Sequence, residues 1–163
     1  MHCTPSHAVC ARRKSRKRAH FWLHTAFVAL LLLALVPAFK AHNLKRPVPI
    51  PNMYSAHSYL GLTVVMLACL QYLLGAATFL WPKPSPHVRR SLSPVHAFMG
   101  TAVYVGGLAA IAVGIQEKAT MILFQQKLPP FSAGMRLPAV LQVLVLLTGV
   151  SVLLIHSRAA VTG

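Results

Sequence analysis

Acidic residues are almost absent from this sequence. None of its 163 residues is aspartate and a single one, Glu117, is glutamate, against sixteen lysines and arginines. The lack of aspartate excludes a Ser-His-Asp catalytic triad, and one carboxylate is too few for hydrolytic metal chemistry that depends on carboxylate ligands. A soluble domain would carry charges of both signs over its surface. The composition therefore indicates a membrane protein.

Cysteine is also scarce. Cys3, Cys10 and Cys69 form no zinc-binding pattern, and we expect no disulfide framework. The net charge of +15 suggests nucleic acid at first sight. However, the basic residues flank apolar stretches and do not line a polar face. This placement favours topology signals and contacts with anionic lipids of the bilayer, so we expect no nucleic-acid partner.

Apolar sequence, in contrast, makes up most of the chain, with 56% hydrophobic residues. Four apolar spans lie at about 20–42, 56–81, 94–115 and 137–157, each near the roughly 20 residues that a helix needs to cross a bilayer core. Proline-rich joints separate them. We predict an all-α, multi-pass bundle of four transmembrane helices. Residues 1–19 would form a basic tail, 20–157 the transmembrane domain and 158–163 a second tail.

The distribution of lysine and arginine predicts the orientation. Ten lie on the side of both termini, namely Arg12, Arg13, Lys14, Arg16, Lys17, Arg18, Lys83, Arg89, Arg90 and Arg158. Six lie on the other side, namely Lys40, Lys45, Arg46, Lys118, Lys127 and Arg136. The richer side is expected to be cytosolic, so both termini would face the cytosol. A signal or transit peptide is the alternative interpretation of the first span, although no clear cleavage site follows it.

Histidines at the ends of three spans are the candidate functional residues. With alternating spans, His20 and His96 share the cytosolic depth, whereas His57 lies near the outer face, too far along the helix axis to join them. Two imidazoles from facing helices are common axial ligands of haem in helical bundles. Gly61 and Gly100 follow two of these histidines by one turn, and would leave room for a porphyrin. The alternative is that small residues simply allow close helix packing.

The sequence around these histidines resembles the transmembrane cytochromes b561. The segment Asn52–Gly61 is similar to that family's "Asn-hydrophobe-Tyr-Ser-x-His-Ser-aromatic-x-Gly" motif. Gln71, Gly75 and the segment Pro94–Gly100 follow at the family's spacing, and Gly114–Lys118 resembles its "Gly-x-x-Glu-Lys" motif. The resemblance covers about residues 13 to 120.

The resemblance implies a cofactor and its ligands. Family members have six helices and bind two b-type haems, one near each membrane face. The four spans here would correspond to family helices three to six, with His20 and His96 as the axial iron ligands of the cytosolic haem. His57 would be a ligand of the outer haem, but the family helix that carries its partner is missing. We therefore expect one haem b, and two if a partner chain, such as a homodimer mate, completes the outer site.

The resemblance also implies substrate sites. Cationic residues aligned with the family's cytosolic ascorbate site are Arg13, Lys17 and Arg89. They would attract and orient an ascorbate monoanion. Residues aligned with the family's outer acceptor site are Phe39, His42, Asn52 and Tyr54. The acceptor would be monodehydroascorbate or a ferric chelate.

The resulting hypothesis is an ascorbate-dependent transmembrane oxidoreductase, or ferric reductase, in which haem b passes electrons across the bilayer. By family analogy it would lie in an endomembrane, such as that of a vesicle, lysosome or vacuole. The alternative is a truncated membrane protein that lacks haem and has a regulatory or assembly role. A proton or metal-ion transporter that uses His42 and His57 is less favoured, because no carboxylate inside the membrane supports it.

Overall fold

Four long helices make up the computed structural model, which describes residues 7–80, 84–127, 129 and 131–162. The helices are α1 (His7–Asn43), α2 (Ala56–Phe79), α3 (Pro86–Gln126) and α4 (Ala133–Thr162). The described residues contain no strand. All four helices include a stretch long and apolar enough to cross a membrane, with a mean hydropathy of 1.9 to 2.4. The all-α fold with four transmembrane helices is thus confirmed.

Two of the helices are longer than the apolar spans inside them. α1 begins at His7 and continues without a break through residue 20, so the basic segment before the span is helical. α3 extends the span at both ends. Ser85 caps its first turn, where the side-chain oxygen accepts a hydrogen bond from the Val88 N–H, and Pro86 stands in the first turn, where its missing N–H costs nothing. The helical backbone thus extends to both candidate ascorbate-binding segments.

Each helix packs against its neighbour in sequence, and α2 with α3 forms the tightest pair. The buried residues at the centre of the described part are small or β-branched: Val64, Val65, Ala68, Ala110 and Ala119. Such side chains let helix backbones approach closely, which is how helices associate where hydrocarbon surrounds them. The large leucines and phenylalanines lie mostly on the outside, the arrangement expected of a bundle whose solvent is lipid.

Polar side chains inside the spans connect neighbouring helices. Tyr72 of α2 and Thr25 of α1 share a hydrogen bond of 2.9 Å. Since the Thr25 hydroxyl already donates to the Phe21 carbonyl, the Tyr72 hydroxyl is the donor. Between α3 and α4, the Gln142 amide donates to the Ala112 carbonyl at 3.1 Å. These bonds satisfy groups that would otherwise be unpaired in hydrocarbon.

Candidate haem site

The rings of His20, His24 and His96 meet between the first half of α1 and the first half of α3. We call this region the His96 end. The ring centroids of His20 and His96 are 6.3 Å apart, with ring planes at 76°. His24, one turn beyond His20 on α1, places its ring centroid 4.3 Å from that of His20. The structure therefore brings together the two histidines that the sequence assigns to one haem, and adds a third.

The spacing of His20 and His96 suits two ligands of one iron. With a metal–nitrogen bond of about 2 Å and a ring centre roughly 1 Å behind each nitrogen, two imidazoles on one iron have centroids about 6 Å apart. α1 and α3 do not pack against each other in the described part of the chain. The two rings therefore approach each other across the gap between these two helices. The donor chemistry and this placement fit a haem b held by His20 and His96.

One face of α2 holds the His96 ring. Gln71, Gly75 and Phe79 follow each other at four-residue spacing and form what we call the His96 seat. The Gln71 Nε2 lies 2.9 Å from His96 Nδ1 and 2.5 Å from the His96 backbone oxygen. A Cβ on Gly75 would lie 2.8 Å from His96 Cε1, and the Phe79 ring centroid lies 5.2 Å from that of His96. These three contacts hold the His96 imidazole against one face of α2.

His57 lies toward the other end of the α2–α3 pair, away from His20 and His96. Its Nδ1 is 2.9 Å from the backbone oxygen of Ala110, which can only accept, so Nδ1 donates the hydrogen bond. The ring lies against Gly114, where a Cβ would be 2.8 Å from His57 Cε1 and Nδ1. In this tautomer Nε2 keeps its lone pair, which is the state that ligates a metal.

Gly61 and Gly100, the glycines expected to leave room for a porphyrin, have different surroundings. A Cβ on Gly61 would meet nothing within 4 Å. A Cβ on Gly100 would meet just the Gln71 Nε2, at 3.5 Å. Gly61 therefore faces open space one turn beyond a candidate ligand, whereas the Gln71 amide lies beside Gly100. Gly75 and Gly114 act differently, because each lies directly under a histidine ring of the opposite helix.

The residues assigned to the outer acceptor cluster near the end of α1 and the start of α2. The His42 and Tyr54 ring centroids are 6.1 Å apart. Asn52 Nδ2 donates to Asn43 Oδ1 at 2.8 Å, and the Ile50 N–H donates to the His42 carbonyl at 3.0 Å, so the connecting loop folds back on α1. Phe39 is exposed on α1, one turn before Asn43.

Glu117 joins this cluster, although the sequence places it in a motif and not in the acceptor site. The Tyr54 hydroxyl donates to Glu117 Oε1 at 3.0 Å, which ties the loop before α2 to α3. Among the described residues, Glu117 Oε2 is enclosed and has no hydrogen-bond partner. The hydrogen bond to the carboxylate raises the pKa of the Tyr54 phenol above its ordinary value, with smaller contributions from burial and from the negative charge.

The candidate ascorbate-binding cations lie at the His96 end in two segments. Lys17 is exposed on α1, three residues before His20. Arg89 is half-buried near the start of α3, and its Nε is enclosed without a hydrogen-bond partner in the described part of the chain. The side chain of Arg13 lies outside the described residues.

His24 and Phe79 are the residues near the candidate haem that the sequence did not assign. His24 could have been found from its spacing, since residues four apart share a helix face and His20 was already a candidate. Phe79 gave no such signal, because its contact with His96 depends on how α2 and α3 rotate against each other. No group of three histidine, cysteine or acidic side chains in the described ranges is arranged to hold a metal ion; a haem iron takes just two axial ligands from protein.

Comparison with known proteins identifies the family of this chain. The model of the family "Eukaryotic cytochrome b561" matches residues 1–122. The chain belongs to the cytochrome b561 family. It is 41% identical over 116 residues to the plasma membrane ascorbate-dependent reductase CYBRD1 of Xenopus laevis, a match that covers 71% of this chain and 39% of the frog protein. The family resemblance found in the sequence is thus confirmed.

Two further relatives differ in the length of the match. The human lysosomal membrane ascorbate-dependent ferrireductase CYB561A3 is 40% identical over 102 residues, which cover 63% of this chain and 41% of the human protein. The Arabidopsis thaliana transmembrane ascorbate ferrireductase 2 is 33% identical over 147 residues, or 90% of this chain and 63% of the plant protein. The chain spans about two fifths of the length of the frog and human relatives. Together with its four candidate spans, the relationship makes it an integral membrane protein.

Proposed function

We propose that this chain is a haem b electron carrier that accepts electrons from ascorbate on one side of a membrane and delivers them to an acceptor on the other. The observation that carries the proposal is the approach of His20 and His96, whose ring centroids lie 6.3 Å apart across two helices that do not otherwise pack together in the described part of the chain. Haem b, when bound, supplies an iron that reversibly takes up one electron.

On the donor side, the two helices that carry this histidine pair each carry a candidate cation. Lys17 precedes His20 by one turn, and the enclosed Nε of Arg89 needs a hydrogen-bond acceptor. An ascorbate monoanion offers oxygen acceptors and a negative charge, so Lys17, Arg89 and Arg13 would hold it beside the His96 end. The names of the relatives, which are ascorbate-dependent reductases, support ascorbate as the donor.

On the acceptor side, Phe39, His42, Asn52 and Tyr54 would contact monodehydroascorbate or a ferric chelate. Lys40, Lys45 and Arg46 stand in the same region of the chain and would attract an anionic acceptor. His57 lies at this end, and its hydrogen bond through Nδ1 leaves Nε2 as the nitrogen that would ligate. A second haem would need one further imidazole, for example from a homodimer mate. We therefore propose one haem b per chain, with both termini in the cytosol.

The direct test is the spectrum of the purified protein. We expect a low-spin haem b with a reduced α-band that ascorbate elicits. His96→Ala is expected to abolish the band, because it removes one axial ligand. His87→Ala is the matched control, since His87 lies on the same helix in an exposed position, and it is expected to leave the spectrum unchanged. An unaltered spectrum in His96→Ala would contradict the assignment.

The haem content distinguishes the alternative function. A haem-free protein would support the haem-deficient relative with a regulatory or assembly role. One haem per chain supports the His20–His96 site alone, and two haems per chain would show that another imidazole completes the His57 site. One of the relatives named above is a plasma membrane protein and another is a lysosomal membrane protein. For this chain we propose an endomembrane, such as that of a lysosome, rather than the plasma membrane.

A further inference from the structure

The His96 seat contains a residue whose chemistry goes beyond packing. Gln71 is half-buried on α2, and its Nε2 contacts both the ring nitrogen Nδ1 and the backbone oxygen of His96. The amide nitrogen is a donor, so Nδ1 accepts in this arrangement and the ring proton resides on Nε2. In contrast, His57 donates from Nδ1 to a carbonyl. The two histidines of the α2–α3 pair thus have hydrogen-bond partners that favour opposite tautomers.

This difference has a consequence for iron binding. A histidine that ligates a metal through Nε2 carries its proton on Nδ1 and usually donates it to a carbonyl or carboxylate, which fixes the ring orientation and strengthens the ligand. His57 has such an acceptor in Ala110. For His96, the Gln71 amide lies within hydrogen-bond distance of Nδ1. A half-turn of that amide exchanges its NH2 for its carbonyl oxygen, and the amide then gives up its hydrogen bond to the His96 backbone oxygen.

The rest of the seat restricts the alternatives. Gly75 brings the imidazole against the α2 backbone, and the Phe79 ring lies 5.2 Å away, so the ring has little freedom to find another partner. The same Gln71 Nε2 also donates to the His96 backbone oxygen. An apolar residue at position 71 would leave Nδ1 unpaired in a membrane interior, which is unfavourable.

We propose that Gln71 is the positioning residue of His96: its amide selects the tautomer of the imidazole and, with haem bound, its carbonyl oxygen accepts a hydrogen bond from the Nδ1–H group. Gln71 does not touch the iron and acts through His96. This inference rests on the proposed haem site, but the part that concerns the tautomer holds for the haem-free chain as well.

The test compares Gln71→Leu with Gln142→Leu. Gln142 is a matched control, because it is also a half-buried glutamine whose amide bridges two helices, in this case α4 and α3. In the haem-loaded protein, Gln71→Leu is expected to weaken haem retention by about 10- to 100-fold, the usual effect of removing the hydrogen-bond partner of a ligating histidine. It should also raise the reduction potential, because the imidazole becomes a weaker donor. Gln71→Glu, which restores an acceptor, should lower the potential below that of the unaltered protein.

The second readout needs no haem. In chain labelled with ¹⁵N-histidine, the His96 ring resonances, identified by their loss in His96→Ala, should show a proton on Nε2, and Gln71→Leu should shift the tautomer ratio. Equal effects of Gln71→Leu and Gln142→Leu in both experiments would overturn the proposal. A protein that binds no haem would refute the proposed function, whereas the resonances would still decide the role of Gln71. A tautomer ratio that Gln71→Leu does not change would refute that role.

Discussion

At the scale of single residues, two histidine–glycine contacts join α2 and α3. Each helix supplies the histidine of one contact and the glycine of the other. His57 of α2 lies on Gly114 of α3, and His96 of α3 lies on Gly75 of α2. Each glycine removes a Cβ that would occupy the space of an imidazole. The glycines of this helix pair therefore serve at least two purposes, since Gly61 leaves open space instead.

Gly114→Ala is expected to destabilise the haem-free chain. The added Cβ would lie 2.8 Å from two atoms of the His57 ring, and moving the ring would break its hydrogen bond to Ala110. Overpacking of this kind costs about 1–3 kcal/mol, which exceeds the gain of up to about 1 kcal/mol from replacing a helical glycine by alanine. The free energy of unfolding in mixed micelles measures the difference. Gly61→Ala is the control and should be neutral or stabilising, because its Cβ meets nothing within 4 Å.

Glu117→Gln is expected to lower the pKa of Tyr54 toward its ordinary value of 10.0, because the hydrogen bond to the carboxylate is the main cause of the upward shift. A raised phenol pKa means that folding favours the protonated form. This contribution to stability is complete below the unfolded pKa and is lost as the pH rises through the folded pKa. Tyrosinate absorbance measures the titration, and subtraction of the same curve for Tyr54→Phe isolates Tyr54 from the other tyrosines. Identical curves with Glu117 and with glutamine would contradict the contact.

At the scale of helices, α1 is the element whose placement decides the haem site. It carries His20, and it is held to α2 rather than to α3, the helix that carries His96. Phe21 stacks on Tyr72 with centroids 6.1 Å apart, and Tyr72 donates to Thr25. α2 therefore acts as the common support, which fixes His20 through α1 and His96 through its seat.

Tyr72→Phe is expected to weaken the α1–α2 contact modestly. The substitution removes the hydrogen bond to Thr25 but keeps the ring that stacks on Phe21. Interhelical hydrogen bonds in membranes average about 0.6 kcal/mol, so a double-mutant cycle with Thr25→Val should give a coupling energy of that order. Thr63→Val is a suitable control, because the Thr63 hydroxyl bonds within its own helix. A coupling energy of zero would show that the stacked rings alone hold α1.

At the scale of the whole molecule, four spanning helices place both termini on the same side of the membrane. The excess of basic residues near the termini predicts that this side is the cytosol. We expect an epitope at either end of the chain to be cleaved by protease added to intact endomembrane vesicles, whose outer surface faces the cytosol, whereas an epitope in the segment 44–54 is protected. Cleavage of the loop epitope with protection of both terminal ones would invert the orientation and, with it, the assignment of donor and acceptor sides.

The sequence by itself determined the class of the protein, its four spans, its family and the depth of each histidine. These features are local, because hydrophobic length sets a span and each helical residue advances a fixed distance along the axis. It therefore placed His20 with His96 and apart from His57, as the structure does.

The tertiary structure decided what surrounds each of those histidines. Whether Gln71 or another residue of α2 faces His96, and whether Glu117 reaches Tyr54, depends on how each helix is rotated about its axis and which helices are neighbours. That rotation is set by packing between residues far apart in the chain, such as Val64 against Gly106. No spacing within one helix contains this information, so the hydrogen-bond partners of the His57 and His96 rings are identified by the packed bundle.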